Sequence, residues 1–208
     1  MLLTELFERI FRDGKPHPSF GKAHILIVLL YIGSKEPIGR YKLSKELEIS
    51  DSSVRTIIKY LKEIGLVNAI PKQGHVLSSE GMKLVEEIKK ELIEIRTDLN
   101  LKELTIGKFD TICHLRNASL KVKTGVELRD EAIKVGADGA TTIIFEKNKL
   151  FIPPEPIEDL RKTNEDFYNM LTSNFDLQEG DVLIVGTASD RKKATEAAIA
   201  SVLTLILP

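Results

Sequence analysis

The amino-acid sequence predicts an α+β protein in two parts, a mainly helical N-terminal half followed by a half in which one sheet is covered by helices. Three observations carry this. The 208 residues exceed what one small core needs, so two domains of roughly 100 residues each are expected. Up to residue 98 the apolar residues recur mainly at helical spacing, interrupted once after Gly65 by short strand-like runs. From about residue 108 short apolar strands alternate with helices, the pattern of a sheet with helices packed on it. The expected domains are 1–98, closing with a long connecting helix over 79–98, and 106–208.

Composition bounds the function. Hydrophobic residues at 42% and charged residues at 29% are those of a folded globular protein. The net charge of -1 conceals an asymmetry: residues 15–77 hold ten Lys or Arg against five acids, the usual footprint of a polyanion partner. The single Cys113 cannot form an internal disulfide and no signal-peptide pattern opens the chain, so a reducing cytoplasm is expected. The runs "ILIVLLYI" and "AIASVLTLIL" are too short to span a bilayer, and no membrane role follows. Abundant Lys and Glu, no Trp and few Gln fit a thermophile.

In the N-terminal half, "SFGKAHILIVLLYIGSK" reads as a buried helix with Ser19 as N-cap and Gly33 as stop. "IGRYKLSKELEIS" gives a short helix with Leu43 and Leu47 inward, ending near Ile49, and Ser50 stands as the N-cap of the next. From Asp51 to Gly65, Val54, Ile57, Ile58, Leu61 and Ile64 form one apolar stripe, leaving Ser52, Arg55, Thr56 and Lys59 opposite. "LVNAI" and "HVL" around "PKQG" read as a small hairpin with Lys72, Gln73 and His75 at its tip or flank. "SSEGMKLVEEIKKELIEIRTDL" then opens a helix with Ser78 or Ser79 as cap.

Helix, helix, turn, helix, hairpin, helix is the order of a winged helix-turn-helix, and residues 19–98 resemble the winged-helix domains of bacterial and archaeal transcription regulators. The resemblance lies in "LSKELEIS", "SSVRTIIKYLKEIGLV" and "LSSEGMKLVEEI". A B-DNA major groove accepts one α-helix and presents distinguishable base edges to it. On that reading Arg55 donates to guanine, Ser52, Ser53 and Thr56 reach base edges or phosphates, and Lys59 meets a phosphate. Arg40, Tyr41 and Lys42 clamp the backbone, with Lys72 and Gln73 in the wing. An apolar stripe is core more often than interface and an exposed basic residue is usually solvated surface, so the pattern outweighs any single member. Asp51 and Glu63 add negative charge at the two ends of the reading helix, and Asp51 there favours the helix N-terminus.

Leu84, Ile88, Leu92, Ile95 and Leu99 make a near-heptad stripe that wants a partner. Two are open: the chain's own amphipathic "LLTELFERIF", or the same stripe of a second subunit, which would give a homodimer with two reading heads.

In the C-terminal half "FDTICHL" reads as a strand, "VELRDEAIKV" as a helix, and "GATTIIFEKNKLFIP" as a strand pair turning at Lys147 and Asn148. A polar helix over residues 157–171, the strand "DVLIVGT" and a helix from Ser189 through Leu203 complete it. "AIKVGADGATTIIFE" and "EGDVLIVGTASDRKKATEAAIASVL" are similar to the small insertion domain of bacterial-type aspartyl-tRNA synthetases. That resemblance implies a two-layer α/β sandwich with a mostly antiparallel sheet and nothing about aminoacylation. The two halves together resemble an uncharacterised archaeal regulator family.

No enzyme signature is present. Gly136-Ala-Asp-Gly139 is too short for a dinucleotide fingerprint, Cys113 and His114 would face opposite ways on a strand, and the remaining His residues show no metal-ligand spacing. No cofactor and no metal are expected. In "GTASDRKK", Gly186 would let an anionic or small-molecule effector approach the backbone, with Ser189 or Asp190 at the helix start; a plain cap with solvated Arg191, Lys192 and Lys193 is the simpler reading. The expected function is therefore a dimeric transcription regulator that binds double-stranded DNA through residues 51–65 and a wing at 67–77. The C-terminal domain would sense a ligand or mediate assembly. A protein-interaction module and an enzyme are the alternatives from other classes.

Overall fold

The computed structural model describes residues 3–11, 20–35, 37–99, 101, 104–154 and 159–207. The fold is α+β, and the chain divides into two compact units, Met1–Ile88 with Leu207–Pro208, and Lys89–Ile206.

The first unit begins with α1 (Leu3–Ile10), whose apolar face of Leu3, Leu6, Phe7 and Ile10 is buried. Phe11 lies against Phe7 and Phe20, with ring centroids 6.5 and 6.4 Å apart. Helix α2 (Lys22–Ser34) has seven buried residues among its thirteen, as its nearly unbroken apolar sequence requires. It opens on Gly21, whose backbone N–H donates to Nδ1 of His24. Ser19 lies outside the described residues. Gly33 sits inside the helix rather than after it.

Helices α3 (Arg40–Leu47) and α4 (Asp51–Glu63) meet through a tight turn in which Glu48 takes φ 52 and Ile49 is buried. Ser50 caps α4 by accepting from the N–H of Ser53, and the stripe Val54, Ile57, Ile58 and Leu61 faces the core. Strands β1 (Val67–Ile70) and β2 (Gly74–Leu77) pair antiparallel as a hairpin. A third segment joins them: Ile38 exchanges two backbone hydrogen bonds with His75, at 3.0 and 2.8 Å. Gly74, at φ 123, has no room for a side chain because Ile38 and Gly39 backbone atoms fill the space. Ser78 caps α5 (Ser79–Glu91) by accepting from Gly81 N, while its own hydroxyl donates to Gly65 O.

The long helix expected over 79–98 is shorter than the spacing implied. It ends at Glu91, and Leu92–Arg96 is the strand β3. The stripe of five apolar residues is thereby split. Leu84 and Ile88 are buried in the first unit, Leu92 and Leu99 belong to the second, and Ile95 is exposed on an edge strand. Ladder pairing of Leu92–Arg96 to the next strand wins over helical periodicity, which cannot by itself separate a short apolar strand from the continuation of a helix.

The second unit is a five-stranded sheet in the order β3-β4-β7-β5-β6, every pairing antiparallel. Its strands are β3, β4 (Phe109–Leu115), β5 (Gly139–Glu146), β6 (Lys149–Phe151) and the central, wholly buried β7 (Asp181–Ala188). Lys147 and Asn148, at φ 52 and 57, form the two-residue turn between β5 and β6. Helices cover the sheet. On the face carrying Thr111 and Gly186 lie α6 (Val126–Lys134) and α9 (Arg191–Ile206), joined by Ser201 Oγ donating to Leu128 O at 2.7 Å. On the face carrying Ile112, Leu183 and Val185 lie α7 (Leu160–Thr163) and α8 (Glu165–Asn174), with Phe167, Leu171 and Phe175 in one cluster. The single polar helix expected over 157–171 is two helices divided at Asn164, whose side chain accepts from Phe167 N; Ile157 lies outside the described residues.

Candidate nucleic-acid interface

Helix α4 keeps its inward stripe fully buried, so its opposite face is held outward by packing alone. That face presents Ser52, Arg55 and Lys59 exposed and Thr56 half-buried. Arg40, Tyr41 and Lys42 open α3 on the same helix pair, with the Tyr41 ring 77% exposed. Lys72 and Gln73 stand exposed in the hairpin turn, where Lys72 adopts φ 63 and Gln73 N–H donates to Ile70 O.

Ser53 departs from this group. It is buried, and its hydroxyl accepts from Ser50 Oγ at 2.8 Å, so it belongs to the cap rather than to the outer face. Ser52 and Thr56 are outward but locally engaged: Ser52 Oγ lies 3.1 Å from Ser50 Oγ, and Thr56 Oγ1 donates to Ser52 O at 2.9 Å.

Four cations of this surface are paired. Asp51 holds Arg40 through Oδ1 at 3.0 Å and Arg55 through Oδ2 at 3.3 Å, while Lys42 lies 3.7 Å from Glu46 and Lys59 3.8 Å from Glu63. The Lys42 and Lys59 pairs are single and exposed, worth about 0–1 kcal/mol each, so a phosphate can replace their carboxylates at little cost, whereas Asp51 and Arg40 are half-exposed and Asp51 is shared by two guanidiniums. The i,i+4 spacing of Asp51 to Arg55 was readable in the sequence. The Arg40 contact was not, because it joins two helices.

His75 lies on the flank of the hairpin, as its position just after the turn residues implies. It stands on β2 opposite Ala69, one pair from the hairpin turn, and its bridge partner Ile38 is two residues before Arg40. Burial, then the positive charges of Lys62 and Arg40, push its pKa below the ordinary histidine value. Among the described residues its buried Nδ1 has no hydrogen-bond partner. Lys62 was not singled out, since nothing in its spacing ties the end of α4 to the hairpin.

At the start of α9 the structure corrects one residue of the expected effector site. A side chain at Gly186 would run into the backbone of Ala194 and Ala198, so this glycine allows α9 to lie close on β7 and leaves no approach for a ligand. Asp190 is the cap, accepting from Lys193 N at 2.8 Å, and Ser189 is exposed beside it. Cys113 and His114 do point to opposite faces: Cys113 is buried and burial pushes its thiol far up, whereas His114 Nε2 meets Asp181 Oδ2 at 2.8 Å. Among the described residues no group of three or more His, Cys, Asp or Glu could hold a metal ion, and no helix is long and apolar enough to cross a membrane.

Comparison with known proteins covers the two units separately. Residues 24–83 match the PH0730-like, N-terminal domain, and residues 106–205 match a domain of unknown function (DUF4443). The chain is 35% identical over 94 residues to the central glycolytic genes regulator of Bacillus subtilis (strain 168), covering 40% of this chain and 27% of that protein. It is 33% identical over 79 residues to the protein of the same name from Priestia megaterium (strain DSM 319 / IMG 1521), covering 38% and 22%. The chain thus spans about a quarter of the length of these two relatives. Among solved structures it is similar to the hypothetical protein PH0730 from Pyrococcus horikoshii OT3, with 25% identity and a TM-score of 0.72 over 90% of this chain and 93% of that one.

Proposed function

We propose that this protein is a transcription regulator that binds duplex DNA, with α4 in the major groove and the β1–β2 wing beside it. The observation that carries the reading is the two-sidedness of α4. One stripe is fixed in the core, and the other offers Arg55, Lys59, Ser52 and Thr56 next to Arg40, Tyr41 and Lys42. The partial similarity to two proteins named as gene regulators supports it. Arg55 is suited to bidentate contact with a guanine edge, and Lys59, Arg40, Lys42 and Lys72 to phosphates. The chain acts as a homodimer in the cytoplasm, and the second unit serves regulation or assembly without chemistry of its own. The likeness of residues 126–205 to the synthetase insertion domain is fold-level and fits such a role.

Fluorescence anisotropy with labelled duplexes across a salt series tests the reading. Log affinity should fall linearly with log salt, and Arg55→Ala with Lys59→Ala should weaken binding at least tenfold while leaving the unfolding transition in place, since a good base contact is worth about 1–3 kcal/mol. Unchanged affinity in the double variant removes α4 from the reading role. Binding that ignores salt, or none to any duplex, turns the surface into a protein-interaction module.

A further inference from the structure

We propose that Asp51 is a specificity-determining residue of the α3–α4 surface: its carboxylate engages Arg40 and Arg55 together in the free protein, so that phosphate alone displaces it poorly. The inference rests on the DNA-binding reading above and adds to it a device that separates the correct sequence from any other.

The geometry is particular to this residue. Lys42 and Lys59 each have one acidic neighbour on their own helix, at 3.7 and 3.8 Å. Asp51 instead divides its two oxygens between guanidiniums from two helices, at 3.0 and 3.3 Å. It also occupies the first position of α4, where the helix N-terminus favours a negative charge and keeps the carboxylate in place. Every duplex offers phosphates, and a phosphate that approaches Arg40 or Arg55 also meets the charge of Asp51. A guanine edge offers Arg55 two acceptors without a full negative charge, so it can draw the guanidinium away from Asp51 with less repulsion. Asp51 therefore disfavours non-specific contact more than the specific one, an attraction withheld from wrong partners rather than one added for the right partner.

The test selects a preferred duplex from a random pool with the full chain, then measures anisotropy for that duplex and a scrambled one with wild type, Asp51→Asn, Asp51→Ser and Glu63→Gln. Thermal unfolding of each variant confirms that it is folded, and the serine variant serves if the asparagine variant is not. The expected result for Asp51→Asn is scrambled-duplex binding tighter by roughly three- to tenfold, the scale of one or two exposed ion pairs. The preference ratio should fall by a similar factor and the salt slope should steepen by about one. Adding Arg55→Ala to Asp51→Asn should remove part of the gain. Two results overturn the inference while leaving the DNA reading intact: a wild type that discriminates with an Asp51 variant that discriminates equally well, or a Glu63→Gln variant that loses the same preference through bulk charge alone. A wild type that selects no duplex overturns the reading and this inference with it.

Discussion

Asp51 and Asp181 both hold arginines, and they do so in opposite surroundings. Asp181 has no exposed surface and accepts from four donors: Arg116 Nη1 at 2.7 Å, His114 Nε2 at 2.8 Å, and the backbone N–H groups of Gln178 and Asn117 at 2.8 and 3.0 Å. The Asp51 side chain is 44% exposed and meets two flexible side chains, those of Arg40 and Arg55. A buried carboxylate must be satisfied by fixed donors, because leaving it unpaired costs several kcal/mol; an exposed one can exchange its partners with solvent or release them to an incoming base edge. The same residue type thus fixes the second unit in one arrangement and keeps the surface of the first ready to rearrange.

The contrast breaks most visibly at Asp181. Asp181→Ala leaves His114 and Arg116 without their common acceptor inside the sheet unit, and should lower stability by about 3–5 kcal/mol in chemical denaturation of the full chain. A loss under about 1 kcal/mol would mean that water replaces the carboxylate, and the network would then be ornament to the β4–β7 ladder. On the exposed side the largest local term is a cap, not an ion pair. Ser50→Ala removes the acceptor for Ser53 N at the start of α4 and should cost about 1 kcal/mol. Should Asp51→Asn cost more than Ser50→Ala in the same denaturation series, the carboxylate is a structural clamp and the contrast with Asp181 collapses.

The helix-turn-helix was legible because its signals are local. The capping serine and the three-and-four spacing from Val54 to Leu61 each depend on residues within a few positions. The β5–β6 turn was legible for the same reason, from the Lys147-Asn148 pair between two apolar runs. What escaped depends on distant partners. Leu92 and Ile95 continue a helical stripe on paper, and only the presence of β4 alongside makes them a strand. Gly186 read as an opening for a ligand until the backbone of α9 was seen to fill the space. Within the candidate interface the outward residues of α4 were readable, whereas the sharing of Asp51 by two helices and the bridge from Ile38 to His75 were not, because both join residues more than ten positions apart.

The smallest expected effect is also the one most specific to the wing. Burial and the charges of Lys62 and Arg40 lower the pKa of His75, so the folded protein binds this proton less readily than the unfolded chain does. The linked stability is therefore full above the ordinary value of 6.5 and is lost as pH falls below it. Burial lowers this pKa most and persists in a complex, but a phosphate seated against Arg40 and Lys62 would offset the part due to their charges, so the DNA complex should bind this proton more readily than the free protein does. Affinity for duplex should consequently rise as pH falls from about 7 to about 5.5, by less than tenfold per unit because a single proton is involved. His75→Gln should flatten that rise while leaving affinity near pH 8, well above the ordinary histidine value, close to wild type. A wild-type affinity that does not change over this range would place the phosphates away from the His75 flank of the wing, and the contact surface would contract to α4 and the first turn of α3.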